Sequence, residues 1–114
     1  NAKVNQLRDE LSQAVEAIEK KTWEIGTARE DWLTLKAKHE NEVAGHLLRA
    51  KAKNPDATQT DINAEATMCA HEVRMELVKA ESKYRRLVGE IKSLRDKLEC
   101  YKEISFNMRR EIGA

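Results

Sequence analysis

The chain has 114 residues, of which 36% are charged and 4% aromatic, and its formal net charge is +1. So many charges and so few aromatic rings suit long solvated helices better than a globular core. One proline and four glycines are too few turn-forming residues for a domain of many strands. The near-neutral charge excludes a global field that would by itself attract a polyanion, and no apolar run reaches the ~18–20 residues of a membrane span.

The first half of the chain predicts one long helix over residues 3–53. Its apolar residues recur at alternating steps of three and four, which keeps one narrow stripe against a partner helix. This seam comprises Val4, Leu7, Leu11, Ala14, Ile18, Ile25, Ala28, Trp32 and Leu35, with Lys21 as an interruption. Beyond Leu35 the apolar stripe drifts to Val43, Leu47 and Ala50, which indicates a local relaxation of the supercoil.

A turn-like segment at residues 54–58 separates this helix from a second one over 59–111. Pro55 disfavours helix at the residue before it, and Thr58 can cap the second helix with Asp61 three residues on. The second helix carries the more regular heptad seam, which comprises Ala70, Val73, Leu77, Ala80, Tyr84, Leu87, Ile91, Leu94, Leu98, Tyr101, Ser105, Met108 and Ile112.

These elements predict an all-α fold in which residues 1–114 form a single antiparallel coiled-coil hairpin. Matching large residues to small ones places Trp32 against Ala80 and Ala28 against Tyr84. A two-helix hairpin buries one seam only, so we expect it to dimerise into a four-helix assembly.

Apolar residues outside the seam are the predicted protein interface. Trp23 lies opposite the seam of the first helix, and large exposed aromatic residues are typical of interface hot spots. The other interface candidates are Leu47, Leu48, Met75, Ile104 and Phe106. The simpler interpretation of Trp23 is burial in the homodimer.

Two basic clusters support an alternative, in which the chain contacts a nucleic-acid backbone. They comprise Arg49, Lys51 and Lys53 before the turn, and Lys83, Arg85 and Arg86 in the second helix. Solvated helix faces with ion pairs explain the same residues, and the chain lacks an aromatic platform for stacking bases.

Neither a metal site nor an active site is predicted. Cys69 and His71 point about 200° apart on a helix, so both cannot hold one ion, and His39 and His46 are better explained as polar seam residues. Catalytic motifs are missing from the sequence, carboxylates such as Glu90 are expected to face outward, and we expect no cofactor. Cys69 and Cys100 lie too far apart on one helix to pair within a chain, which suggests a reducing, cytoplasmic setting.

The turn Asn54-Pro55-Asp56-Ala57-Thr58 and the run Ala80-Glu81-Ser82-Lys83-Tyr84-Arg85-Arg86-Leu87-Val88 resemble small two-helix coiled-coil proteins of phage early replication and recombination gene clusters. The resemblance transfers no site residues. It implies an accessory role in phage DNA metabolism within the host cytoplasm, as an adaptor or an inhibitor of a host factor.

The leading hypothesis is therefore a non-enzymatic coiled-coil interaction protein that forms homo-oligomers and binds another protein. The alternatives are a nucleic-acid-binding accessory protein of DNA replication or recombination, and an excised coiled-coil segment of a larger structural protein.

Overall fold

The computed structural model of the chain describes residues 2–113, and within that range every element of regular structure is an α-helix. The helices are α1 (Ala2–Lys53), α2 (Gln59–Cys69) and α3 (His71–Gly113). The all-α prediction is confirmed. The structure has three helices where the sequence predicts two, because the second predicted helix is divided at Ala70. In the described part of the chain, no helix is long and apolar enough to cross a membrane.

Helix α1 ends where the sequence predicts. The N–H of Asn54 still donates to the carbonyl of Ala50, at 3.0 Å, and Pro55 then starts a turn in which the N–H of Ala57 donates to the carbonyl of Asn54. Lys51 and Lys53 lie in the last turn of the helix, where positive charge interacts favourably with the helix dipole.

Helix α2 begins at the predicted cap. Thr58 has extended backbone angles, and its Oγ1 accepts a hydrogen bond from the N–H of Asp61 at 3.2 Å. The carbonyl of Thr58 accepts the N–H of Ile62, and the Asp61 carboxylate in the first turn complements the positive end of the helix dipole. The loop over 54–58 and its capping threonine are therefore confirmed.

The division at Ala70 is a local distortion of one helical path. Ala70 has a ψ of 10°, yet its N–H still donates to the carbonyl of Ala66 and its own carbonyl accepts the N–H of Arg74. Upstream, the Thr67 hydroxyl donates to the carbonyl of Asn63 at 2.8 Å, a bond that tends to bend helices. Thr22 makes the same kind of bond inside α1 without ending it, so a second cause is needed.

The second cause is the spacing of the buried residues. Ile62, Ala66 and Ala70 are buried at two successive steps of four, and Val73 then follows at a step of three. Steps of four suit a straight or oppositely wound helix, whereas alternating three and four suits a left-handed supercoil. The break therefore lies at the residue where the spacing of the seam changes.

The chain divides into two compact units. Unit 1 contains the described residues up to Gly26 and from Arg85 onward, and unit 2 is Thr27–Tyr84. Buried apolar side chains in unit 1 are Leu7, Ala14, Leu87 and Ile91; those in unit 2 are Ala28, Ala50, Ile62, Ala66, Ala70 and Val73. The expectation of a single domain stays a prediction.

Burial follows the predicted seam closely. From Ala70 to Met108 every predicted seam residue is buried or half-buried, whereas Ile112 is exposed. In α1 the predicted drift is also present, since Ala50 is buried and Arg49 is exposed. The stripe of buried residues is narrow, and half of these residues are alanines.

Ala66 has no solvent exposure, so a larger side chain there must displace its neighbours. We expect Ala66→Leu to lower the free energy of unfolding by about 1–3 kcal/mol, the usual cost of overpacking. Ala64→Leu is the matched control, because Ala64 is exposed on the same helix. Denaturant unfolding followed by circular dichroism measures both, and equal midpoints for the two variants would contradict the tight packing of this seam.

Candidate interaction surfaces

The predicted interface residues are mostly exposed, but they do not form one cluster. Trp23 is 74% exposed, Leu48, Met75, Ile104 and Phe106 are also exposed, and Leu47 is half-buried. Unit 1 holds Trp23, Ile104 and Phe106, and unit 2 holds the other three. The structure therefore offers separate apolar surfaces in each unit.

Further large apolar side chains are exposed that the sequence prediction did not include in the interface: Val15, Leu33, Met68, Val78, Val88 and Ile112. Met68 is the most exposed of all, at 76%. It lies between Ala66 and Ala70, and a residue two positions from a seam residue points about 200° away from it. Ala70 belongs to the predicted seam, so the spacing of the sequence already places Met68 on the outer face.

An apolar groove of about 140 Å³ lies in unit 1. One wall comes from the first turns of α1 and the other from the last turns of α3. Arg8 and Arg109 also line it, and the apolar and small lining residues are Val4, Leu7, Leu11, Ser105, Met108 and Ile112. The groove could accept one large apolar side chain.

Two glycines lie near Trp23 and Leu87 along the two helices of unit 1. Gly26 is one turn after Trp23, and Gly89 is two residues after Leu87. A Cβ atom built on either glycine would meet no atom within 4 Å. Both positions therefore open onto space that another chain could occupy.

An ion pair links α1 and α3 within unit 1. The Lys21 Nζ lies 2.6 Å from the Glu90 Oε2, and both side chains are half-buried. Glu24 lies 3.6 Å from the same ammonium group, and the Arg86 guanidinium lies 3.7 Å from the other oxygen of Glu90. The sequence predicts that Glu90 faces outward; the structure leaves its side chain partly exposed and adds a contact that the pattern did not show, because the seam lysine of α1 reaches it.

This pairing changes the proton affinity of both groups. The hydrogen bond from Lys21 lowers the pKa of Glu90 below its ordinary value of 4.5, with desolvation opposing it and the charges of Lys21 and Arg86 adding to it. The hydrogen bond to Glu90 raises the pKa of Lys21 above 10.5, against a smaller desolvation effect. Both shifts favour the charged pair across neutral pH.

In unit 2 the rings of Trp32 and Tyr84 stack, with centroids 5.2 Å apart and planes at 23°. The size-matching argument pairs Trp32 with Ala80 and Ala28 with Tyr84, one turn apart, so the stack joins the large residues of two neighbouring pairs; the pairing itself stays a prediction. Stacked aromatic pairs gain about 0.5–1.5 kcal/mol beyond the area they bury, which favours the contact between the rings.

The basic residues of the nucleic-acid hypothesis are exposed but fall in different places. Arg49, Lys51 and Lys53 belong to the end of α1 in unit 2, and an Arg49 nitrogen lies 2.9 Å from the Nδ1 of His46. Lys83, Arg85 and Arg86 lie within one turn of α3, where the boundary between the two units falls. Their role in binding nucleic acid stays a prediction.

The histidines and cysteines do not assemble into a ligand set. Within the described residues, no three His, Cys, Asp or Glu side chains are grouped so that they could hold a metal ion. Cys69 and Cys100 are both free thiols at exposed positions.

The Lys21–Glu90 pair makes stability depend on pH. The lowered pKa of Glu90 contributes stability above pH 4.5, and this stability is lost as the pH falls through the lowered pKa. The raised pKa of Lys21 contributes stability below pH 10.5, and this stability is lost as the pH rises through the raised pKa. We expect Glu90→Gln to lower the free energy of unfolding at neutral pH, and this difference from the wild type to vanish in acid. Unfolding curves between acid and neutral pH measure it. Glu103→Gln, at an exposed position of α3, should leave stability unchanged; an equal, pH-independent loss in both variants would contradict the pair's role.

We found no match to this chain among protein-family models, curated proteins or solved structures. The resemblance to phage two-helix proteins accordingly stays a hypothesis.

Proposed function

We propose that this chain is a non-enzymatic coiled-coil interaction protein that associates with itself and binds other proteins through its exposed apolar side chains. One observation carries the proposal. Five large apolar side chains are buried in the described structure, namely Leu7, Ile62, Val73, Leu87 and Ile91, whereas eleven are exposed and the other large seam residues are half-buried. So many exposed large apolar side chains favour surfaces that a partner covers.

The physical argument rests on area. Apolar surface removed from water contributes about 25 cal/mol per Å², and an alanine offers little such surface. Half of the buried residues are alanines, so the seam buries little apolar area. The larger side chains, including Trp23 and Leu48, can contribute only when another molecule covers them.

The antiparallel hairpin is the arrangement that best explains the contacts within each unit. In unit 1, Lys21 bonds to Glu90, and the start of α1 shares a groove with the end of α3. In unit 2, Trp32 stacks on Tyr84. Residues later in α1 thus contact residues earlier in α3, which is the order that two antiparallel helices produce.

Spin labels can test this arrangement in unit 1. Ser12 and Lys102 should lie across the pair from each other, because both line one surface depression. With Cys69→Ser and Cys100→Ser to remove the native thiols, and Ser12→Cys with Lys102→Cys to carry the labels, we expect a separation set by the ~8–10 Å between packed helix axes plus the label linkers. The distance should persist after dilution with excess unlabelled chain. A short distance that disappears on dilution would show that the helices pair only between chains.

Self-association makes stability depend on concentration. Because a partner subunit binds only the folded chain, we expect the unfolding midpoint and the weight-average mass to rise together with protein concentration. For a fully coupled dimer each tenfold increase adds about 1.4 kcal/mol of apparent stability. Sedimentation equilibrium and denaturant unfolding measure the two quantities. A constant monomer mass with a constant midpoint would contradict the self-association.

A further inference from the structure

We propose that Trp23 of one chain docks over Gly89 of a second copy, so that two different faces of unit 1 form a head-to-tail contact. The inference rests on the proposed self-association and specifies its surface. It commits to another copy of this chain as the occupant of both faces.

Trp23 is a projecting side chain. It lies two positions from both Lys21 and Ile25, which belong to the seam of α1, so its indole points about 200° away from that seam. It is 74% exposed, although it also takes part in an interaction within its own chain. A side chain of this size gains most when a partner surface can accept it closely.

Gly89 provides such a surface on α3. It lies between Leu87 and Ile91, both buried, and therefore also faces away from the seam. A Cβ atom at Gly89 would meet nothing within 4 Å, so the helix backbone itself is open to contact there. Because glycine lacks a side chain, a large ring can approach the backbone more closely at this position than at its neighbours.

The charges around the two positions are complementary. One and two turns before Trp23 lie Glu19 and Glu16, with Lys20 as the opposing charge. Within one turn of Gly89 lie three cations, Arg85, Arg86 and Lys92, against one anion, Glu90, which is half-buried and paired with Lys21 and Arg86; Asp96 lies two turns away.

All of these charged side chains except Glu90 and its partner Lys21 are exposed. The guanidinium groups also give the indole ring cationic partners for its face, an interaction that adds to simple burial. Charge complementarity thus favours the pairing of these two faces over the pairing of either face with itself.

The geometry determines how association proceeds. The two seams face each other within unit 1, so Trp23 and Gly89 point in opposite directions. When Trp23 of one chain contacts Gly89 of the next, the Gly89 face of the first chain and the Trp23 face of the second remain uncovered, and each can bind a further copy. We expect the weight-average mass to continue rising beyond that of a dimer, and high salt to weaken the association.

Two blocked variants test the contact by complementation. Trp23→Ala removes the projecting side chain, and Gly89→Leu fills the open position with a better helix former, so helicity should persist in both. Each variant alone should associate at least about tenfold more weakly than wild type, as expected for a hot-spot residue. A mixture of the two should form a 1:1 complex and stop there, because only one intact contact can form. Asn41→Ala is the control, because Asn41 is an exposed, uncharged residue of α1 that lies in unit 2 and belongs to neither predicted interface.

Sedimentation velocity on the single variants and on the mixture gives the outcome. Loss in each variant with a 1:1 complex in the mixture supports the contact. Wild-type association that Trp23→Ala leaves unchanged, or variants that fail to combine, would overturn the contact while leaving the proposed self-association intact. A wild-type chain that stays monomeric would overturn both.

Discussion

The structure depends on a seam that is long, narrow and built largely of small residues. Alanines such as Ala14, Ala28 and Ala66 let helices approach closely, yet each removes little apolar surface from water. The energy that holds the helices together is therefore spread thinly along the chain. Individual polar and aromatic contacts then matter more than they would beside a large core, and surfaces outside the seam become available for partners.

A seam of alanines also specifies register poorly. If one helix slides along the other until a different alanine takes the same place, the packing changes little. The Lys21–Glu90 pair and the Trp32–Tyr84 stack supply that information, one in each unit. A polar residue in a seam is known to select register at some cost in stability, and Lys21 occupies that position in α1. The pair is half-buried, so the cost of desolvation is moderate and both groups stay charged at neutral pH.

Sequence reasoning predicted what depends on local chemistry and on a simple period: the end of α1 before Pro55, the Thr58 cap and the burial of the seam up to Met108. It did not predict the break at Ala70, since alanine carries no signal for a break and the cause is a change in spacing among its neighbours. It also expected Glu90 to face outward. The size-matched register brings Lys21 to the level of Glu90, but a helical pattern shows only which face a residue occupies, and not that a long lysine side chain 69 residues away reaches around to it.

The net charge of +1 conceals how the charges are arranged. Glu16 and Glu19 accompany Trp23 on the outer face of α1, while Arg85 and Lys92 accompany Gly89 on the outer face of α3. The composition of each helix does not show that the charges are separated in this way, since each helix carries both acidic and basic residues. The separation is visible only once the seam defines which residues point outward. The regular inner seam therefore does more than hold the helices together, because it also determines which residues form the two outer faces. These faces differ in charge, so in the proposed contact the α1 face of one copy binds the α3 face of the next.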